Sequence, residues 1–133
     1  MRSDSEPYLK KDYAIDQAIL DQSNKIIILK FNKICNFYDK TFNINFVKFK
    51  FKHMKNLNFF SINIEKIREF NLMYELKKNT SLLYFFNNRK IFIDSGTGDT
   101  NKICQFTQDS RKIKQITKKT LKNCQKGKNF LKI

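Results

Sequence analysis

The side chains able to do chemistry are few and far apart. They are three thiols, Cys35, Cys104 and Cys124, one imidazole, His53, and a Gly96-Thr97-Gly98 step that follows Asp94. A dithiol redox centre needs a nucleophilic thiolate and a resolving thiol within a few residues. A zinc site needs ligand pairs at close spacing. The chain contains neither CxxC nor CxxH. A thiol acting alone at Cys35 is the one redox arrangement left open, because it follows the first strand-like run; its neighbours Lys33-Ile34 and Asn36-Phe37 supply no second thiol. His53 offers a base without a surrounding catalytic motif. The Gly96-Thr97-Gly98 step lacks the spacings of phosphate-binding loops and follows a late strand rather than the first. It reads as a turn that needs a positive φ at a glycine, and Asp94 reads as capping a turn or as balancing nearby lysines. All three cysteines are expected to be free thiols, and no catalytic residue, metal or cofactor is expected.

Charge is the stronger signal. The formal net charge is +15, with 23 Lys against 4 Arg, which favours acidic partners such as nucleic acid. Lys, Asn, Ile and Phe all have A+T-rich codons, so a codon bias alone accounts for part of a lysine excess. It does not account for a one-sided distribution. Residues 1–24 hold five acids against three bases, whereas residues 110–133 hold nine bases and no acid. The lysines of this tail, Lys118, Lys119, Lys122, Lys126 and Lys128, read either as a solvated helix face or as a contact for RNA phosphates or an acidic protein patch. Lysine supplies point charges to phosphate without reading bases. No aromatic RNA-binding motif is present, and the phenylalanines sit mostly at core spacing.

These residues need a scaffold. The 133 residues, 41% hydrophobic with 14 Phe, suffice for one domain over 1–133 with a packed core. No apolar run approaches the roughly 18–20 residues that span a bilayer, and the acidic N-terminus is unlike a signal peptide, so a soluble intracellular protein without a membrane partner is expected. Asp12 caps a predicted helix at about 13–23. The runs 26–31, 57–64, 82–86 and 91–94 read as strands, the last two as a hairpin through Asn87-Asn88. Ile67, Phe70, Met73 and Tyr74 mark a helix, and Asp109 caps a final one carrying Ile113, Ile116, Leu121 and Cys124 on its apolar face. Residues 41–55 alternate with period two, as a strand would, yet two parallel strands on either side require a crossover. A mainly helical 35–55 is therefore predicted. The order is α/β: a mixed central sheet of about four strands flanked by helices.

Several segments resemble the Dim family, the thioredoxin-like proteins of the U-five small nuclear ribonucleoprotein. They are Asp16-Gln17-Ala18-Ile19-Leu20, Phe70-Asn71-Leu72-Met73-Tyr74-Glu75-Leu76, the run Tyr84 to Asp94 followed by Gly96-Thr97-Gly98 and Asn101-Lys102-Ile103, and Gln125-Lys126-Gly127-Lys128. The similarity runs in register from about residue 12 to 131. It implies a thioredoxin-like fold, a nuclear location and a non-catalytic role in pre-mRNA splicing, as a monomer within a larger complex. The implied partners are the large scaffold subunit and a helical-repeat bridging subunit of the tri-snRNP, with snRNA or pre-mRNA phosphates nearby. Phe70, Tyr74, Gly96, Thr97, Gly98, Asn101 and Lys102 join the tail lysines as expected partner-binding residues. The chain departs from the family pattern at Asp39 and Thr80, where the family commonly has cysteines. It departs again at Asn79, where such folds usually have a cis-proline and a trans bond is expected here, and in its shorter tail. The competing readings are a degenerate thioredoxin-like redox protein and a free-standing basic RNA-binding protein.

Overall fold

The structure, a computed structural model, describes residues 8–9, 12–20, 24–32, 57–63, 80–96, 98, 100–103 and 110–133. The expected helices at 35–55 and 66–78 lie outside them, as do Cys35, Asp39, His53, Phe70, Tyr74, Asn79, Thr97, Cys104 and Asp109. The described elements are β1 (Tyr8–Leu9), α1 (Asp12–Ile19), β2 (Ile26–Asn32), β3 (Leu57–Asn63), β4 (Thr80–Phe86), β5 (Arg89–Asp94), α2 (Ser110–Gln125) and β6 (Phe130–Lys132).

They form one six-stranded sheet in the order β1-β3-β2-β4-β5-β6. β2 and β3 run parallel, with Ile28 opposite Phe59, as the crossover argument requires. β4 is antiparallel to both β2 and β5. This is the expected mixed sheet, enlarged by two short edge strands. β1 adds parallel to β3 and β6 parallel to β5.

The side-chain alternation of a strand sorts the apolar residues of β2 onto both faces. Ile26 and Ile28 join Phe59, Leu82, Tyr84, Ile91, Ile93 and the inner stripe of α2 in one core layer. Ile27, Leu29 and Phe31 join Leu83, Phe85 and Ile15 of α1 in the other. A central strand covered on both sides explains why 26–31 reads as an uninterrupted apolar run. Lys30 breaks that run. It is wholly buried, level with Ser61 of β3 and Leu82 of β4.

α2 shows its amphipathic logic directly. Ile113, Ile116, Thr117, Thr120 and Cys124 are buried, at the spacing of one helix face. Leu121, expected on this face, is half-buried and packs at its margin. Two threonines fill the stripe instead, because each hydroxyl can donate to the carbonyl one turn back. Thr117 Oγ1 donates to the Ile113 carbonyl at 2.8 Å and Thr120 Oγ1 to the Ile116 carbonyl at 2.7 Å. The Thr117 proton being committed, the buried Tyr84 hydroxyl donates to Thr117 Oγ1 at 2.9 Å. This chain fastens α2 to β4, and burial raises the Tyr84 phenol well above its usual range.

The bond predicts a non-additive mutant cycle. Thr117→Val strands a buried phenol donor and is expected to cost about 1–3 kcal/mol. Adding Tyr84→Phe should recover much of that loss, since the double variant leaves no buried polar group unmet. Urea unfolding of the four proteins measures the coupling, and strict additivity would remove the bond from the account.

Candidate functional site

α2 presents two unlike faces. Opposite the buried stripe, Lys118, Lys119 and Lys122 are exposed. The helix ends at Gln125 and is closed by Gly127, whose φ of +83° suits glycine. The Gly127 N–H donates to the Cys124 carbonyl and the Lys128 N–H to the Asn123 carbonyl, both at 2.9 Å. This pair of bonds is a Schellman closure. It fixes the loop that carries Lys126 and Lys128, both exposed. Asn123 Nδ2 also reaches the Phe130 carbonyl at 2.9 Å, joining the helix end to β6. Five exposed lysines thus line the outside and the C-terminal end of one helix. No acidic residue lies between Ser110 and Ile133 to neutralise them.

The other expected site residues lie elsewhere. Gly96 and Gly98 have φ of +86° and +84° in the turn after β5. Asp94 Oδ1 accepts the Gly96 N–H at 2.9 Å, so this carboxylate caps the turn. The Ile133 N–H donates to the Asp94 carbonyl at 2.9 Å, bringing the last residue beside the same turn. Asn101 is exposed and Lys102 half-buried, in the segment that returns to β4 through the Leu82–Ile103 bridge. Lys128, past the helix end, instead shares a cleft with Arg89 and Ile91 at the opposite end of β5. Six residues of β5 separate the two ends by about 17 Å at ~3.3 Å per residue. The glycine turn and the lysine array are two surfaces rather than one.

Sequence reasoning missed a third feature. A cleft of about 150 Å³ lies between the β4–β5 turn and the loop after α2. Phe86, Ile91 and Cys124 supply apolar lining, with Arg89 and Lys128 as its cations. The signal available in sequence was the Asn87-Asn88 turn. Asn87 exchanges side-chain contacts with Asn24, accepting the Asn24 N–H at 3.1 Å and donating Nδ2 to Asn24 Oδ1 at 2.8 Å. All three asparagines of these turns, Asn24, Asn87 and Asn88, have positive φ.

The chemistry of Cys124 follows from its place in this cleft. It is a free thiol. Burial pushes it up to about 11, and the Arg89 charge offsets only part of that. At neutral pH it is protonated and a poor nucleophile. Alkylation of native protein by iodoacetamide should leave Cys124 largely unmodified at neutral pH, with reaction rising only as pH approaches 11. Peptide mass spectrometry reads this out; rapid neutral-pH modification of Cys124 in folded protein would contradict it. The sign for stability is the same. Between the ordinary thiol value of 9.0 and about 11 the unfolded chain ionises while the folded one does not, so stability falls through that window as pH rises.

Among solved structures, the fold is similar to thioredoxins. The Schistosoma mansoni thioredoxin superposes with a TM-score of 0.68 at 16% identity, over 87% of this chain and 95% of that one. Plasmodium falciparum thioredoxin gives 0.66 at 11% identity, over 85% and 97%. These likenesses establish a thioredoxin-like fold. Among curated proteins, the "Mitosis protein dim1" of Schizosaccharomyces pombe is 26% identical over 127 residues, covering 94% of this chain and 88% of the relative. The "Spliceosomal protein DIB1" of Candida glabrata is 23% identical over 123 residues, covering 92% and 87%. That of Saccharomyces cerevisiae is 21% identical over 129 residues, covering 94% and 87%. The family model described as "Mitosis protein DIM1" matches residues 6–133, and the chain belongs to that family.

Proposed function

We propose that this chain is a non-catalytic protein of the splicing machinery, acting in the nucleus as a docking module of the U-five particle and the tri-snRNP. The observation that carries the reading is the match, along nearly the whole of both chains, to proteins named "Spliceosomal protein DIB1". The mechanism is placement. In this reading residues 1–133 are one domain; among the described residues most apolar side chains and the polar tie, Tyr84 to Thr117, belong to the core, and five lysines of α2 and its closing loop face outward. The partners in this reading are the large scaffold subunit and the helical-repeat bridging subunit, approached from the lysine array and from the turn at Gly96 and Gly98. Thr97, Phe70 and Tyr74, which lie outside the described residues, belong to the same proposal through the family resemblance, as do Asn101 and Lys102.

Depleting the protein from a splicing-competent extract of its own cells tests this. Splicing of a reporter pre-mRNA should fall on depletion and return on addition of the recombinant chain. Unchanged splicing after complete depletion would overturn the reading.

The thioredoxin-like fold makes a degenerate redox protein the second reading. The lone thiol of Cys35 and the absence of CxxC weigh against it. An insulin-reduction assay with dithiothreitol decides: no turnover above background is expected, and turnover abolished by Cys35→Ser would favour the enzyme.

A further inference from the structure

We propose that the cleft between the β4–β5 turn and the loop after α2 is a docking site for an acidic peptide segment of a partner protein. An apolar side chain of the peptide fills the cleft, and a neighbouring carboxylate meets Arg89 and Lys128. The inference deepens the docking function proposed above and rests on it.

Size and chemistry select the occupant. A cleft of about 150 Å³ holds one large apolar side chain. Its lining of Phe86, Ile91 and Cys124 is continuous with the core layer on the α2 face, and the Cys124 thiol, held protonated, presents a neutral surface. Among the described residues, the charged groups at the cleft are Arg89 and Lys128, both exposed. Guanidinium and ammonium donate hydrogen bonds and accept none. Of the two side-chain amides that line the cleft, Asn87 has both its oxygen and its nitrogen engaged by Asn24, and Asn129 sets one neutral amide beside the two cations. The polar part of a ligand here meets mainly donors on cationic groups, which suits a carboxylate. A nucleobase presents donors as well as acceptors, and single-stranded RNA is usually held on open aromatic faces. Phe86 is half-buried and packed against the core rather than free as a platform.

The walls are also preorganised. The Schellman closure at Gly127 fixes one side and the paired amides of Asn24 and Asn87 fix the other. A preformed cleft avoids the cost of ordering loops on binding. Lys122 and Lys126, exposed on the adjoining helix end, extend the positive field beyond the cleft and attract a segment with several acids.

The test uses the full chain and a fluorescein-labelled probe, Asp-Glu-Leu-Glu-Asp, read by fluorescence anisotropy and by amide shifts in NMR spectra. Binding should move the amides of Arg89, Gly127 and Lys128, weaken with salt, and fall at least about tenfold in Arg89→Ala/Lys128→Ala, the loss of about 1.4 kcal/mol expected from a charge-assisted contact. A probe with Gly for Leu should bind more weakly. The same amides should stay still with the neutral probe Asn-Gln-Leu-Gln-Asn. If the acidic probe moves only lysine amides along α2, or binds the double variant as well as wild type, the cleft is not a docking site. If oligouridylate moves the cleft amides and the acidic peptide does not, the occupant is RNA and the proposal is overturned. None of these outcomes depends on splicing activity, so loss of the cleft proposal and loss of the splicing reading are separately visible.

Discussion

Changing Lys118, Lys119, Lys122, Lys126 and Lys128 together to Glu is expected to abolish most recovery of the spliceosomal particle in pull-downs while leaving the domain folded. The two halves of this expectation rest on different residues. The fold of α2 is secured by Ile113, Ile116, Thr117, Thr120 and Cys124, all buried, and none of these is changed. The five lysines are exposed. A single exposed charge usually contributes under about 1 kcal/mol to stability. Lys122 has the most to lose, because it lies in the last turn of α2, where a cation favours the carbonyl end of the helix by about 0.3–1 kcal/mol. Repulsion among neighbouring lysines becomes repulsion among neighbouring glutamates, which leaves that contribution nearly unchanged. A domain of this size is usually stable by about 5–15 kcal/mol, so the variant should stay folded with a modestly lower melting temperature.

Binding responds differently because the charges act together. Five reversals on one helix end turn attraction to an acidic surface into repulsion, and like-charge juxtaposition across an interface costs several kcal/mol. Salt screens such contacts over about 8 Å at physiological ionic strength. Raising salt should therefore weaken the wild-type interaction in the same direction. Circular dichroism checks the fold, and recovery of the particle checks binding. A folded five-Glu variant that recovers the particle as well as wild type would reduce the array to a solvated face. Docking would then have to rest on the turn at Gly96 and Gly98 or on residues 66–78, because Lys128 of the cleft is among the five lysines changed.

The second large effect is on stability. Tyr84→Ala is expected to destabilise the domain by about 3–5 kcal/mol, the usual cost of truncating a buried aromatic side chain. Tyr84 is among the largest wholly buried side chains and lies in the core layer under α2. Its ring packs in the layer that holds Ile28, Ile91 and Ile113, and its hydroxyl meets Thr117. Truncation leaves a cavity where strand and helix meet and removes that tie in one step. Tyr84→Phe keeps the ring and should cost only about 1 kcal/mol. Urea midpoints of the two variants separate packing from hydrogen bonding. Equal losses would mean that the hydroxyl, not the ring, carries the contact.

The parts of the fold that were legible in sequence are those whose pattern is local and repeated. The run Ile26 to Phe31 announces a doubly covered strand, and Asn87-Asn88 announces the hairpin, with φ of 48° and 65° at the two residues. Boundaries were less legible. β4 begins at Thr80 and β5 at Arg89, because the ladders continue past the last large apolar residue: Thr80 pairs with Asn32 and Arg89 with Phe86. α1 ends at Ile19 rather than near 23, and Asn24 then takes φ of 62°. The edge strands were not legible. β1 has two residues and β6 three, and Phe130 and Lys132 of β6 are exposed around the single buried Leu131. Such short pieces carry no periodicity; they pair because the neighbouring strand offers free backbone groups.

The candidate site divides in the same way. The exposure of the tail lysines could be read from helical spacing around Ile113 and Ile116. The buried threonines could not, because Thr117 and Thr120 look polar until their hydroxyls are seen to bond within the helix. The cleft at Arg89 was hidden for a different reason. It joins residues 86–91 to residues 124–129, and nothing in either segment alone indicates that they meet.

The proposed role of this chain is that of a docking module in the splicing machinery. Affinity purification of the tagged full-length protein from its own cells, with identification of the co-purifying RNAs and proteins, tests it most directly. The U-five small nuclear RNA should be recovered together with the large scaffold subunit and the helical-repeat bridging subunit, in amounts that fall as salt rises. Recovery of the protein alone, or with redox partners and no small nuclear RNA, would contradict it.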